Sequence, residues 1–326
     1  MRLHSIMSLV FAVCLLSAPA ALASPTVTVL DSFNPAVGQL PESVTTDDAG
    51  NLYFSMSLAL NELTVDKQLV TVAPIPAPAG ASALGVKVGP DGFVYVVTAA
   101  FGGTTPSAFV WRVSPAKQVS LFATLPAESI PNDLVFDDDR NLYVTDSALG
   151  QIWKIDPQGK PAVWFADPLL LGNSTNSVVP GRPLGANGIA FGLFERALYV
   201  SNTDYGRIVR IRVHHGRPQG IEVVATSDQL VGADGIAFDL FGTLYVAVNA
   251  GDRIGTVSPF GTVSTFIEGS PLDAPSSVAF GARRSDRFTL YMTNFAILRA
   301  SGLKPGTPEP SLASVPVPFP GLPLER

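Results

Sequence analysis

The chain writes one short pattern six times, and an internal repeat constrains a fold more tightly than any single motif, because each unit must bury its apolar face against a copy of itself. The copies are ESVTTDDAGNLYFS (from Glu42), LGVKVGPDGFVYVV (from Leu84), NDLVFDDDRNLYVT (from Asn132), NGIAFGLFERALYV (from Asn187), DGIAFDLFGTLYVA (from Asp234) and SSVAFGARRSDRFTLYMT (from Ser276). Each is a strand rich in β-branched and aromatic residues, a turn of Asp, Gly or Arg type, and a second strand centred on tyrosine. Those tyrosines, Tyr53, Tyr95, Tyr143, Tyr199, Tyr245 and Tyr291, follow one another at 42, 48, 56, 46 and 46 residues. After several of them a further strand pair folds over a Pro/Gly turn, as in QIWKIDPQGKPAVWFA from Gln151 and RIGTVSPFGTVSTFI from Arg253. Two hairpins per repeat make four antiparallel strands, the content of one propeller blade. The sequence therefore predicts an all-β, six-bladed β-propeller over residues 24–303, with the strand-like stretch 26–30 completing the last blade. A β-sandwich has no such strict period. Residues 304–326 carry seven prolines among 23 residues and predict an extended, polyproline-like strap or tail, since proline offers no N–H to a ladder.

Composition narrows the function classes. With 47% apolar and 15% charged residues the chain is neither a disordered tail nor a coiled coil. Its 21 Lys and Arg against 27 Asp and Glu leave no basic surface for phosphates, so no nucleic-acid partner is expected. Residues 1–23 read as a signal peptide: Arg2, an apolar run from Ile6 to Leu16, then Ala21-Leu22-Ala23 at the cleavage point. Ser17 and Pro19 interrupt that run before it reaches the ~20 residues of a bilayer span, so no membrane anchor is expected once it is cleaved. Cys14, the one cysteine, lies inside this segment. The mature chain then has no thiol, which excludes disulfides, cysteine nucleophiles, zinc–thiolate sites and iron–sulfur clusters. A secreted or periplasmic protein, monomeric and acting on a small molecule, is the expectation.

One position varies while the frame around it repeats. The residues opening the six first strands are Glu42, Leu84, Asn132, Asn187, Asp234 and Ser276. In a propeller the first strand of each blade is innermost, so these residues form a ring at the mouth of the central channel. Glu42, Asn132, Asn187 and Asp234 bring side-chain oxygens to that axis, and two carboxylates facing each other without a cation would repel until one took up a proton. All-oxygen ligation by carboxylates and carboxamides suits calcium, with another divalent cation as the alternative. Softer metals would call for His or Cys. His214 and His215 stand side by side before a Gly-Arg-Pro turn and read as exposed turn residues.

At this point the pattern resembles the calcium-dependent propellers that include senescence marker protein, gluconolactonases, luciferin-regenerating enzyme and, more distantly, diisopropyl fluorophosphatase. The phrases that carry the resemblance are PNDLVFDDDRNLYVTD (from Pro131), ANGIAFGLFERALYVSNTDYGRI (from Ala186) and ADGIAFDLFGTLYVAVN (from Ala233). It implies that Glu42, Asn187 and Asp234 bind the catalytic calcium and that Asn132 binds the metal or the substrate. It also implies a hydrolase acting on a lactone or related ester, with Asp234 as the catalytic base or nucleophile. One departure stands out. Sugar lactonases of this group usually carry Arg two residues before the third-blade Asn, whereas this chain has Ile130 there, after Ser129. The pocket should be less polar and its substrate a more hydrophobic lactone. A noncatalytic propeller that binds a small ligand or a protein partner is the alternative, which the missing Arg favours.

Other features read as structural. Asp137-Asp138-Asp139 fills a strand-to-strand turn, Asp146 and Asp204 follow their tyrosine strands where they would hold blade turns, and Trp111, Trp153 and Trp164 read as packing between blades. The longest interval between tyrosines contains residues 169–185, expected to form a lid beside the channel mouth.

Overall fold

The computed structural model describes residues 25–100, 108–193 and 196–322, and the expected signal peptide lies outside these. A strand β1 (Thr28–Ser32) precedes the first blade, which holds β2 (Pro41–Thr46), β3 (Leu52–Met56), β4 (Ala59–Leu63) and β5 (Leu69–Pro74). Blade 2 holds β6 (Ala81–Val88), β7 (Val94–Ala100), β8 (Phe109–Val113) and β9 (Val119–Thr124). Blade 3 holds β10 (Pro131–Phe136), β11 (Leu142–Asp146), β12 (Gln151–Ile155) and β13 (Pro161–Ala166). Blade 4 holds β14 (Ala186–Phe191), β15 (Ala197–Asn202), β16 (Arg207–His214) and β17 (Arg217–Thr226). Blade 5 holds β18 (Ala233–Phe238), β19 (Leu244–Val248), β20 (Arg253–Val257) and β21 (Val263–Glu268). The last contains β22 (Pro275–Phe280), β23 (Thr289–Asn294) and β24 (Ser311–Pro316). Six four-stranded antiparallel sheets result, and the fold is the six-bladed propeller that the repeat predicts. Among the described residues the one α-helix is α1 (Ile297–Ala300), a single turn.

The repeated pattern has a packing reason. Each buried core cluster lies between two neighbouring blades rather than inside one, as between blades 2 and 3, where Val97, Val110 and Leu125 meet Leu134, Leu142 and Ile155. The repeated tyrosine works across the same boundary. Tyr95 packs edge-on against Phe136, Tyr143 against Phe191, Tyr199 against Phe238 and Tyr245 against Phe280, at centroid distances of 4.8–5.4 Å. In each pair the Phe ends the first strand of the following blade, so the Phe and Tyr of the written pattern meet in neighbouring copies. The three tryptophans sit in the same layers: Trp153 between blades 2 and 3, Trp111 between blades 1 and 2, and Trp164 between blades 3 and 4.

The two ends of the chain close the ring together. Sheet order in the last blade is β22, β23, β24, β1, so the N-terminal strand is its outermost member, as the strand-like stretch before residue 30 suggests. The expectation of a strap from residue 304 onward is corrected here. Residues 311–315 contain no proline, every N–H is available, and Ser311–Pro316 pairs on both sides, with Leu312 opposite Thr293 and Asp31. Only the segment after it runs as a strap. It crosses the far face of the propeller, where the Leu322 amide donates to the Phe238 carbonyl.

A charged clasp ties the returning chain to blade 5. Arg299 pairs with Asp252 at 2.7 Å and also with Asp273, while Lys304 pairs with Asp252. Burial pushes the Asp252 carboxyl up, but the hydrogen bonds from Arg299 and Lys304 outweigh it and hold the group below the usual carboxylate range. A lowered folded-state pKa stabilises above the unfolded value of about 3.9, and that stabilisation is lost as pH falls through the folded value. Asp252→Asn should therefore cost about 2–3 kcal/mol at pH 7, with the gap to wild type in urea melts closing below about pH 4. Truncation after residue 304 removes an inner strand of the last blade and should abolish the cooperative thermal transition seen by circular dichroism.

Candidate functional site

The opening residue of every first strand lies in a β-bulge. In blade 1 the register runs from Pro41–Met56 to Val44–Phe54, so that Glu42 and Ser43 together oppose Ser55. The same slip spans Asn132 and Asp133, Asn187 and Gly188, Asp234 and Gly235, and Leu84 and Gly85. A bulge bends its strand and re-aims a side chain, and here the side chains re-aimed are those of the variable ring. Hydroxyls on the second strands satisfy the bulged amides: Ser55 Oγ accepts from Ser43 N, Thr145 Oγ1 from Asp133 N, and Ser201 Oγ from Gly188 N. The same hydroxyls, where they can, reach forward to the next blade, Thr145 donating to the Asn187 carbonyl and Ser201 to that of Asp234. Ser276 and Thr293 do the same for the Glu42 carbonyl and so link the last blade to the first.

Five of the six ring residues converge. Glu42, Asn132 and Asp234 line one constriction in the channel together with Ser276, and Asn187 hydrogen-bonds the Asp234 carboxylate beside it. All are buried. Leu84, the apolar member, instead joins the core between blades 2 and 3. Asn187 donates Nδ2 to Thr203 Oγ1 at 2.9 Å, which leaves its Oδ1 facing no partner, and Glu42 Oε2 is likewise buried and unpartnered. Burial raises the Glu42 carboxyl well above its ordinary range, and the charges of Asp234 and Asp133 raise it further. Asp234 is also raised, by burial first, against hydrogen bonds from Asn249, Gly235 and Asn187 that favour its ionised form. Orphaned carboxylate and carboxamide oxygens, with no nitrogen or sulfur among them, are the donor set of a hard divalent cation. The residues present fit such an ion. Among the described residues no group of three or more His, Cys, Asp or Glu side chains is placed to hold a metal.

Two contributors were not picked out from sequence. Asp133 occupies the bulge position that elsewhere is Ser43, Gly85, Gly188, Gly235 or Ser277. Its Oδ2 accepts from Ile189 N of the next blade, as Ser43 Oγ accepts from Val86 N and Ser277 Oγ from Val44 N. A serine would serve that bond, whereas Asp133 adds a charge, raised by burial and opposed by Lys87 below it in the channel. Its being the one residue at that position neither Ser nor Gly was the available signal. Asn249 donates Nδ2 to Asp234 Oδ2 at 3.0 Å and keeps a buried, unpartnered Oδ1. Nothing in the repeat marks it, because it lies in the irregular turn after β19.

The residues read as structural take structural places. Asp137 accepts from Asn141 and from the Tyr143 hydroxyl, and Asp146 from three amides and Trp153 Nε1. Asp204 gathers the amides of Asn173, Val178 and Leu184 and so pins the segment 171–185 beside the ring face. His214 and His215 are exposed in their turn. Ile130 packs at the edge of the core between blades 2 and 3, and the buried Ser129 hydroxyl beside it has no partner.

Comparison with known proteins agrees with this architecture. Residues 40–296 match the model of the SMP-30/gluconolactonase/LRE-like region, and the chain belongs to that family. Similar solved structures include regucalcin from Agrobacterium tumefaciens, described as a calcium-binding protein (18% identity, TM-score 0.65, covering 93% of this chain and 97% of that one). A gluconolactonase from Xanthomonas campestris is 19% identical with a TM-score of 0.65, covering 91% of each chain. Virginiamycin B lyase from Staphylococcus aureus is 14% identical with a TM-score of 0.57, covering 90% and 99%. At such identities the likeness speaks for the fold alone. No curated protein matches the sequence.

The electrostatics of the ring make one prediction. Glu42→Gln removes a buried carboxyl that faces Asp234 and Asp133, so chelator-treated protein carrying it should be more stable than wild type by about 1–2 kcal/mol. Differential scanning calorimetry in a chelating buffer tests this, and a variant melting below wild type contradicts it.

Proposed function

We propose that this protein is a calcium-dependent hydrolase that opens a lactone or related ester at the ring end of its central channel, exported to the periplasm or the medium. The observation that carries the reading is the pair of buried, unpartnered oxygens on Glu42 and Asn187 beside the Asp234 carboxylate, in a chain of the gluconolactonase-like family. Glu42, Asn187 and Asp234 would hold the ion, with Asn132 as a further donor to ion or substrate. Calcium bound there supplies Lewis-acid polarisation of the substrate carbonyl and stabilises charge developing on its oxygen.

The chain's own groups do the rest. Asn249 fixes the Asp234 carboxylate through its Oδ2, so that a chosen oxygen faces the channel. Burial raises the Asp234 carboxyl while hydrogen bonds from Asn249, Gly235 and Asn187 favour its ionised form, and the ionised Asp234 can accept a proton from attacking water. The blades exclude bulk water, which strengthens these interactions. With Ile130 packed against the core between blades 2 and 3, no arginine stands where sugar lactonases use one, and a hydrophobic acyl or alkyl portion is a better match than a polyhydroxylated one. That same residue favours the second reading, a propeller that binds a ligand without turning it over.

Calorimetric calcium titration of chelator-stripped protein is expected to show one tight site, lost in Glu42→Gln. A panel of aliphatic and aromatic lactones should then reveal turnover that Asp234→Asn abolishes with the fold intact by circular dichroism. Calcium binding without turnover of any lactone would favour the ligand-binding reading, and absence of calcium binding would overturn the hydrolase reading and leave a metal-free binding propeller.

A further inference from the structure

Among the described residues four phenylalanines are exposed, Phe241, Phe260, Phe288 and Phe319, and all four lie on the face opposite the ring. The first strand of each blade starts at the ring and the third runs parallel to it, so the turns that follow these two strands sit at the far end. Phe241 belongs to the turn after β18, Phe260 to the turn after β20, Phe288 to the loop after β22, and Phe319 to the C-terminal strap. These four segments form one surface. Phe241 packs on Phe319 at 4.6 Å, and Pro259 lies beside Gly242, which joins the two turns of blade 5. The Leu240 amide donates to the Pro320 carbonyl and the Gly321 amide to the Arg287 carbonyl, which ties the strap to blades 5 and 6.

The phenylalanines project rather than line a groove. Phe260 is 95% exposed and Phe241 64% exposed. A cluster of large apolar side chains held in water marks an interaction surface. The equivalent turns of blades 1 and 3 are charged instead, with Asp66 and Lys67 in one and residues 138–140, Asp-Asp-Arg, in the other. Around the phenylalanines the exposed charge has one sign. The turns of blade 5 contain a single charged residue, the buried Asp239, and strap residues 317–322 contain none. In the loop of blade 6 Arg283 pairs with Asp286 at 3.2 Å, which leaves Arg284 and Arg287 as the surplus, both exposed and the second lying over the Phe288 ring. The chain as a whole carries a formal charge of −6, so this local excess runs against the average.

We propose that this face docks on an anionic lipid bilayer, with Phe241, Phe260, Phe288 and Phe319 at the level of the headgroups and acyl chains and Arg284 and Arg287 against the lipid phosphates. Charge selects this occupant: two copies of the face would oppose arginine to arginine, whereas an anionic surface attracts them. Shape favours a bilayer over a protein partner, because a fluid interface accepts separate protruding side chains without a matching pocket. The attachment is peripheral, since no helix among the described residues is long and apolar enough to cross a membrane. It leaves the ring facing away from the bilayer and is independent of the hydrolase reading.

Vesicle flotation of the chain without residues 1–23, whose apolar run would itself partition into lipid, tests this. All the strands are retained in that chain. It should bind vesicles of equimolar phosphatidylglycerol and phosphatidylcholine at least about tenfold more tightly than vesicles of phosphatidylcholine alone, with the difference shrinking as salt is raised. Arg284→Gln/Arg287→Gln should weaken binding to the anionic vesicles by about tenfold, and Phe241→Ser/Phe260→Ser by at least about tenfold, each with a melting curve like that of wild type. Val65→Ser, in the equivalent outer turn of blade 1, and Glu42→Gln, in the ring, should bind as wild type does. Fluorescence of Phe260→Trp should shift to the blue on anionic vesicles and be quenched by bromine placed on the acyl chains. No vesicle binding, equal binding to both vesicle types, wild-type binding by either double variant, or no quenching at position 260 would each overturn the proposal. So would a dimer in sedimentation that Phe241→Ser/Phe260→Ser dissociates, which would assign the face to a second copy of the chain.

Discussion

The contact between each blade and the next is what the rest of the molecule depends on. A four-stranded sheet alone has two apolar faces and no partner, and here both faces are buried against neighbouring sheets, with the tyrosine of one blade edge-on to the phenylalanine of the following one. Hydroxyls on the second strands add a polar belt nearer the axis, each bonding its own bulge and the next blade's carbonyl. Because a hydroxyl donates and accepts at once, one side chain satisfies two backbone groups that the bulge would otherwise leave orphaned. The ring residues inherit their positions from this belt: the carbonyls of Glu42, Asn187 and Asp234 are held by the blade before them.

That rigid frame lets the channel hold an unfavourable charge arrangement. Glu42, Asp234 and Asp133 sit within one another's fields away from solvent, and all three carboxyls are driven up by burial. Groups of this kind are not kept for stability, since well-packed neutral residues would serve better. They are the sort of perturbed cluster that marks functional sites. A cation held there would offset the repulsion and would couple stability to binding through the same carboxylates. Lys87 and Asn249 are the polar groups the chain itself sets against the charge, one through its field and one through a hydrogen bond.

Much of this was legible in the residues. The six openings could be aligned by eye, and the one position that varied within a constant frame contained Glu42, Asn132, Asn187 and Asp234. Asp133 was harder, because an Asp beside an Asn in a turn-rich chain is ordinary until its neighbours are seen to be Ser or Gly in every other copy. Asn249 was invisible, since it reaches Asp234 from a loop fifteen residues away. The strap was misread because proline counts averaged over residues 304–326 concealed a proline-free stretch able to pair on both sides.

Sequence alone determined the number of blades, their strand order and the identity of the ring, because periodicity of apolar and turn residues is local information that repeats. Tertiary structure decided which ring members face one another, which oxygens are left bare, and how the termini share a sheet. Those are properties of contacts between residues far apart in the chain. Leu84 shows the difference: its place in the repeat matches that of the ring donors, yet its apolar side chain gains more from the core between blades 2 and 3 than from the channel.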